Sequence, residues 1–388
     1  VKYKGCISHA EARERYSSSV GVNKVMIEQV ANAFERKDYH TAAKLLKPLL
    51  EESPENPWVQ FYLGRLHEVS RKYENAQKVY RHLLRSTTNT KILTQARQGL
   101  QRLQEIEQEA RQRAIIEATT EPSNTELGVL VLEPLSNELK AKLAPKFAQI
   151  FQIDTYTARL SLPSRGWKLY RIGQIGELKF YGTQLQQAGI PCFWVTIAAI
   201  GQIRVFQVHN FVESAANTTI VCRNPANQLG SLTFKWSEVK ARVVGLLPIF
   251  EQVVDGDPYR KLEHKTQTQD YAQFCDLHLP GRGCILRLSD KSYQYQKGLE
   301  ITSQTSQNTI RINWNFLQEW LDQQLPQINV WSDFTHFAET ILDQTEMLGN
   351  IQSHIHLFRR DKTNWDPAFH LYSGLVFSNL TQKIDRDN

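Results

Sequence analysis

Residues 39–49, YHTAAKLLKPL, and residues 73–83, YENAQKVYRHL, set the reading of the front of this chain. Tyr39, Ala42, Leu46 and Leu49 of the first recur as Tyr73, Ala76, Tyr80 and Leu83 of the second, a period of 34 residues. Within each copy the spacing puts these residues on one face of a helix. The second copy carries Leu63-Gly64 twelve residues ahead of Ala76, and the first ends at Pro54. Small residues allow paired helices to touch, aromatic rings fill the gaps between them, and proline stops the second helix. Self-similarity at a fixed period is the mark of a stacked repeat.

The pattern resembles a pair of tetratricopeptide repeats. It departs from them at Gln29-Val30, where Leu-Gly is expected. Working outward, residues 1–24 contain Ser17-Ser18-Ser19 and Gly21 and read as poorly ordered. A polar helix is predicted from Ile92 to about Ile116, with Leu93, Leu100, Leu103 and Ile106 on one stripe. It is suited to cap a short solenoid, whose last unit needs a polar outer face. The helical front is therefore bounded at 25–117, with 118–126 (ATTEPSNTE) as a linker.

From Gly128 strands and helices alternate. A strand over 128–132, a helix over 137–151, a turn over 162–173 and a helix over 174–188 precede strands at 192–198 and 203–208. The order strand–helix–helix–strand–helix–strand resembles the C-terminal domain of the bacterial ribosomal stalk protein. Residues 127–209 are read as a small α/β domain and 210–388 as a mixed α+β domain. In the second, 235–254 reads as a helix to Gly245 resuming after Pro248. Residues 314–325 and 331–348 read as two amphipathic helices, and 365–380 ends strand-like. The fold class expected is multidomain α+β: a short α-solenoid followed by an α/β and an α+β domain.

The chain of 388 residues carries a net charge of +6, and its hydrophobic content of 41% is ordinary for a folded protein. Residues 1–117 hold 20 Lys and Arg against 14 Asp and Glu, and the remainder holds 26 against 26. The whole excess therefore sits in the front, which argues against an extended nucleic-acid surface but leaves room for a local basic patch there, and an acidic protein partner would see the same field. No apolar run is long enough to span a bilayer, and no apolar core follows the basic start. Five scattered cysteines fit reduced thiols, so a cytoplasmic protein is expected.

Candidate binding residues fall in two arginine-rich turns. In Ser164-Arg165-Gly166-Trp167, with Arg171 downstream, a tryptophan flanked by arginines can stack a purine while a guanidinium holds a phosphate. The alternative is a core tryptophan with bordering arginines. Across 264–298, Lys265, Arg282, Arg287 and Asp290 gather around a Pro280-Gly281-Arg282-Gly283 turn. Arg287 and Asp290 form an Arg-x-x-Asp. A guanidinium fork suits a guanine edge or a phosphate, and a carboxylate accepts from guanine nitrogens. The alternative there is an ordinary hairpin ion pair. Cys275, His278 and Cys284 supply three soft ligands where structural zinc wants four, so no metal is expected. Without a nucleophile, phosphate-loop or zinc-protease motif, no enzyme activity and no cofactor are expected.

PSRGWKLYRIG, GLLPIFEQVVD, KTQTQDYAQFCDLHLPGR and ILRLSD, behind a tetratricopeptide front, resemble a cyanobacterial protein family. That family includes a receptor for cyclic di-GMP. The resemblance implies a cyclic dinucleotide bound in the body and a signal passed to a protein partner, with a transcription regulator as a candidate. Arg287-Leu288-Ser289-Asp290 also matches the Arg-x-x-Asp of diguanylate cyclase inhibitory sites. The other reading is a scaffold or assembly factor without a small ligand.

Overall fold

The computed structural model describes residues 24–215, 217–256, 262–301, 309–357 and 363–387. Over 251–256, 262–267 and 385–387 it describes the backbone alone. Residues 1–23, most of the start expected to be poorly ordered, lie outside the described residues. Contacts divide the chain into two units, Val1–Ala114 and Ile115–Asn388.

The first unit is helical. Helix α1 covers residues 24–35, and α2 (Tyr39–Glu52), α3 (Pro57–Val69), α4 (Tyr73–Ser86) and α5 (Thr90–Ala118) follow. Asp38 caps α2 by accepting from Thr41 N at 3.1 Å. Asn56 caps α3 through Trp58 N at 3.0 Å, with Pro57 at the first helical position, where its missing N–H costs nothing. Of the four repeating positions, Ala42, Leu46 and Leu49 and their counterparts Ala76, Tyr80 and Leu83 are buried in helix seams. Val30, in the place of the expected glycine, is fully buried. Helix α5 is the predicted capping helix, extended by two residues at each end.

In the second unit the elements are β1 (Leu127–Leu132), α6 (Asn137–Phe151), α7 (Thr155–Ser161), β2 (Lys168–Gln174), α8 (Ile175–Gln187), β3 (Cys192–Thr196) and α9 (Ile197–Gly201). The strand–helix–helix–strand–helix–strand order is the one expected. The strands make an antiparallel sheet ordered β2-β1-β3. On the outer edge of β3, Gln186 Nε2 donates to Cys192 O at 2.9 Å and Gln382 Nε2 to Trp194 O at 3.2 Å.

A second, seven-stranded sheet follows: β4 (Arg204–Ser214), β5 (Thr218–Arg223), β6 (Leu229–Phe234), β7 (Ala241–Gly256), β8 (Leu262–Leu279), β9 (Cys284–Ser289) and β10 (Val330–Trp331). Its order is β10-β7-β8-β9-β4-β5-β6. The expected boundary at 209/210 falls inside β4. Helices α10 (Ile310–Gln324), α11 (Phe334–Glu339), α12 (Thr345–Gly349) and α13 (Trp365–Asp387) complete the unit. One core joins Val129 and Val195 of the small sheet, Val243 and Leu247 of β7, and Phe369, Tyr372 and Val376 of α13.

Four expectations need correction. Residues 168–173, placed in a turn, form β2 together with Gln174, the expected first residue of the next helix. Most of 235–254, read as a helix to Gly245 resuming after Pro248, belongs to β7 (Ala241–Gly256). Ala241, Val243 and Leu247 of that strand face the core around α13, while Val244 packs on the core under α10. A strand covered on both faces loses its alternation, so its apolar spacing imitates a helix. Pro248 is tolerated because β10 pairs only with Arg242 and Val243, leaving that side of β7 an edge. The strand-like tail is α13, whose residues 368–377 are all buried. A helix surrounded by protein has no polar face to reveal its period. Residues 331–348, read as one helix, are divided among β10, α11 and α12.

Candidate functional site

The first unit is locked at α4. The ring of Tyr80 lies between two glycines. A Cβ on Gly64 would stand 2.6 Å from Tyr80 Cε1, and one on Gly99 2.6 Å from Cε2. The Tyr80 hydroxyl donates to Glu68 at 2.7 Å, and Arg102 donates to both oxygens of Glu68 at 2.8 and 3.0 Å. Burial alone would raise the Glu68 carboxyl, but Arg102 and Tyr80 together hold it below its usual value. Burial, reinforced by Glu68, pushes the Tyr80 phenol up. Three helices, α3, α4 and α5, are thus tied at one point within a continuous stack.

Trp167 of the second unit is a core residue, with ring centroids 4.8 Å from Phe193 and 4.6 Å from Trp331. Arg165 is exposed in the turn before it. Arg171, on β2, donates to Glu177 at 2.6 Å and stands over the Tyr181 ring at 5.0 Å. Arg282 occupies the turn between β8 and β9, where it binds Glu238 through two nitrogens at 2.5 and 2.7 Å and donates to Thr233 O at 2.7 Å. The side chain of Lys265 lies outside the described residues.

Arg287 is 2% exposed and its fork is filled by protein groups. Its Nε and Nη2 donate to the two oxygens of Asp276 at 2.8 and 2.7 Å, and Nη1 donates to Ser353 O at 2.6 Å. A fourth contact runs from Nη2 to His370 Nδ1 at 3.5 Å. Asp290 is not its partner: the Asp290 carboxylate accepts from Gln273 N at 3.0 Å, and burial raises it. The arginines expected to converge on a ligand therefore each hold their own carboxylate, with Arg165 the exception.

Sequence reading missed the network around Arg287. Ser373 Oγ of α13 donates to Asp276 Oδ2 at 2.6 Å, so its oxygen accepts from His278 Nε2 at 2.9 Å. Asp276, His278, His370 and Ser373 are all fully buried. A cavity of about 470 Å³ lies beside this network, with Ser353, His354, His356, Thr363, Asn364 and Asp366 in its wall. Neither Trp167 nor Arg287 lines it.

The two buried histidines give a pH prediction. Burial, with Arg287 adding to it and Asp276 opposing, pushes His278 down to about 4. Burial and then Arg287 hold His370 well below its ordinary value. Both stay neutral in the folded chain, while the unfolded chain takes up protons near pH 6.5. The stability from His278 is complete above pH 6.5 and is lost as pH falls toward 4. By pH 5 the loss from His278 alone reaches about 2 kcal/mol. Denaturant unfolding at pH 7, 6 and 5 measures it, and His278→Gln should flatten the slope. An unchanged slope in that variant refutes the assignment.

With the repeat packing described, the match to known families is direct. Residues 33–94 match the tetratricopeptide repeat. The matched residues run from α1 into α5 and contain both copies of the 34-residue pattern. No curated protein matches the chain. The tetratricopeptide segment makes a protein partner the expected ligand of the first unit, and among the described residues no helix is long and apolar enough to cross a membrane.

Proposed function

We propose that this chain is a protein-interaction scaffold whose tetratricopeptide segment engages a partner while the second unit supplies a rigid body. The observation that carries this reading is the packed pair of repeats at residues 33–94. Cross-linking of the full chain to captured partners tests it. Cross-links should concentrate within residues 24–114, and Tyr80→Ala should abolish capture. Partners that cross-link only beyond residue 115 would overturn the reading.

A narrower reading adds a cyclic dinucleotide, cyclic di-GMP before others, and a transcription regulator as the partner. Its support is the resemblance carried by residues 163–173, 245–255, 265–282 and 285–290. It requires the forks of Arg171, Arg282 and Arg287 to leave the carboxylates they now hold, which makes the scaffold reading the better supported. Calorimetry with cyclic di-GMP, cyclic di-AMP and GTP decides between them. The narrower reading expects heat from cyclic di-GMP, and silence from all three removes it.

A further inference from the structure

Three pairs of basic residues follow the same 34-residue period as the packing positions: Lys37 and Arg71, Lys44 and Lys78, Lys47 and Arg81. All six are exposed. The apolar positions recur because each repeat must bury the same seam, but the basic ones fill no seam. Among the described residues the ion pairs of this unit are made by Arg65, Arg102, Arg111 and Arg113, and none of the six takes part in one. Lys44 and Lys47 are three residues apart on α2, and Lys78 and Arg81 three apart on α4, so each pair shares a helix face. Equivalent positions in stacked repeats present the same side of the solenoid. Glu51 and Glu74 lie on those faces too, which leaves four helix cations against two carboxylates.

The turns are more telling than the helices. Lys37 and Arg71 have φ of 60° and 58°, in the left-handed region. They follow the ends of α1 and α3, where the next residue's amide closes the helix: Asp38 N donates to Ala33 O and Lys72 N to His67 O, both at 2.9 Å. Glycine or asparagine is the relaxed choice at such a position. A long cationic side chain stands there instead, at the equivalent point of both repeats. Local preference broken twice in the same way, with no packing gained, marks a residue kept for another purpose.

We propose that these two turns and the exposed faces of α2 and α4 form a docking surface for an acidic segment of a protein partner. The inference rests on the scaffold reading and adds the partner's chemistry. Carboxylates on the partner would meet cations that take part in no ion pair among the described residues, and the net positive field would speed encounter.

Fluorescence anisotropy of a labelled oligoglutamate peptide with the full chain tests this. Binding should weaken as salt rises. Lys37→Asn with Arg71→Asn should weaken it about threefold, and alanine at Lys44, Lys47, Lys78 and Arg81 together about tenfold. The asparagine variant should also raise the melting temperature, because asparagine sits more comfortably at positive φ. Weaker binding in a more stable protein cannot come from damage to the fold. Unchanged affinity in both variants overturns the proposal, as does duplex DNA of matched charge binding as tightly as the peptide. Should partner capture persist in both variants yet be lost in Tyr80→Ala, the scaffold reading stands and this surface is not the one used.

Discussion

Arg287→Ala is expected to lower the unfolding free energy by about 3–5 kcal/mol. The reason is what the truncation leaves behind. Asp276 is fully buried and would be left with only the Ser373 hydroxyl donating to it among the side chains around it. Ser353 O would lose its donor as well. Breaking a buried pair costs more than the pair contributes, because desolvation of the remaining ion is no longer offset. Arg287→Lys should recover less than half of the loss, since an ammonium cannot span both oxygens of Asp276 and reach Ser353. Chemical denaturation of wild type, both variants and an Arg287→Met/Asp276→Leu double variant measures the coupling. The double variant should be more stable than Arg287→Ala alone. Should Arg287→Ala leave the midpoint unmoved but abolish cyclic di-GMP binding, the fork serves a ligand and the structural account fails.

The second large effect is in the repeats. Tyr80→Ala is expected to destabilise the first unit by about 3–5 kcal/mol. Gly64 and Gly99 carry no side chain that could fill the space the ring leaves. Tyr80→Phe removes only the bond to Glu68, which keeps both contacts from Arg102, and should cost about 1–2 kcal/mol. Gly99→Ala decides between two opposed effects. In an exposed helix interior it would gain about 1 kcal/mol in helix propensity. Here the added carbon would stand 2.6 Å from the Tyr80 ring, and overpacking of that kind costs about 1–3 kcal/mol. The clash should win. Hydrogen exchange across residues 24–114 reads these changes separately from the second unit. A more protected Gly99→Ala would show that the ring can move aside.

The repeats were legible because burial on one helix face leaves a period in the sequence, and Ala42, Leu46, Ala76 and Leu83 carry it. The second unit hid its elements where they are most deeply enclosed. Strand β7 packs on two cores and α13 is surrounded, so neither shows the polar side from which a period is read. The candidate binding residues raise a different point. Trp167 and Arg287 were read by chemical type, as groups able to hold a nucleotide, yet both are buried in the fold. Arg287's true partner could have been found. A hairpin turning at Pro280–Gly283 sets Leu279 opposite Cys284, and counting back along that register puts Asp276 opposite Arg287. Asp290 is nearer in sequence but lies past the strand's end.

Helix α13 has a bearing on how the second unit is made. It shares its core with β1, so that Val129 and Val131 near the start of the unit belong to one cluster with Phe369, Tyr372 and Val376 near its end. Every other element of the unit is synthesised before it. Until α13 arrives, the core around Val129, Val195 and Val243 has α9, α11 and α12 but lacks Phe369, Tyr372 and Val376, Asp276 lacks the Ser373 hydroxyl, and the outer edge of β3 lacks Gln382. Contacts of such high sequence separation form slowly, because a long loop must close before they repay its entropy. An open strand edge beside uncovered apolar surface is the hazard of that interval. Ribosome-bound chains halted before residue 365 should therefore hold a collapsed but uncommitted second unit prone to self-association, alongside an already folded pair of repeats.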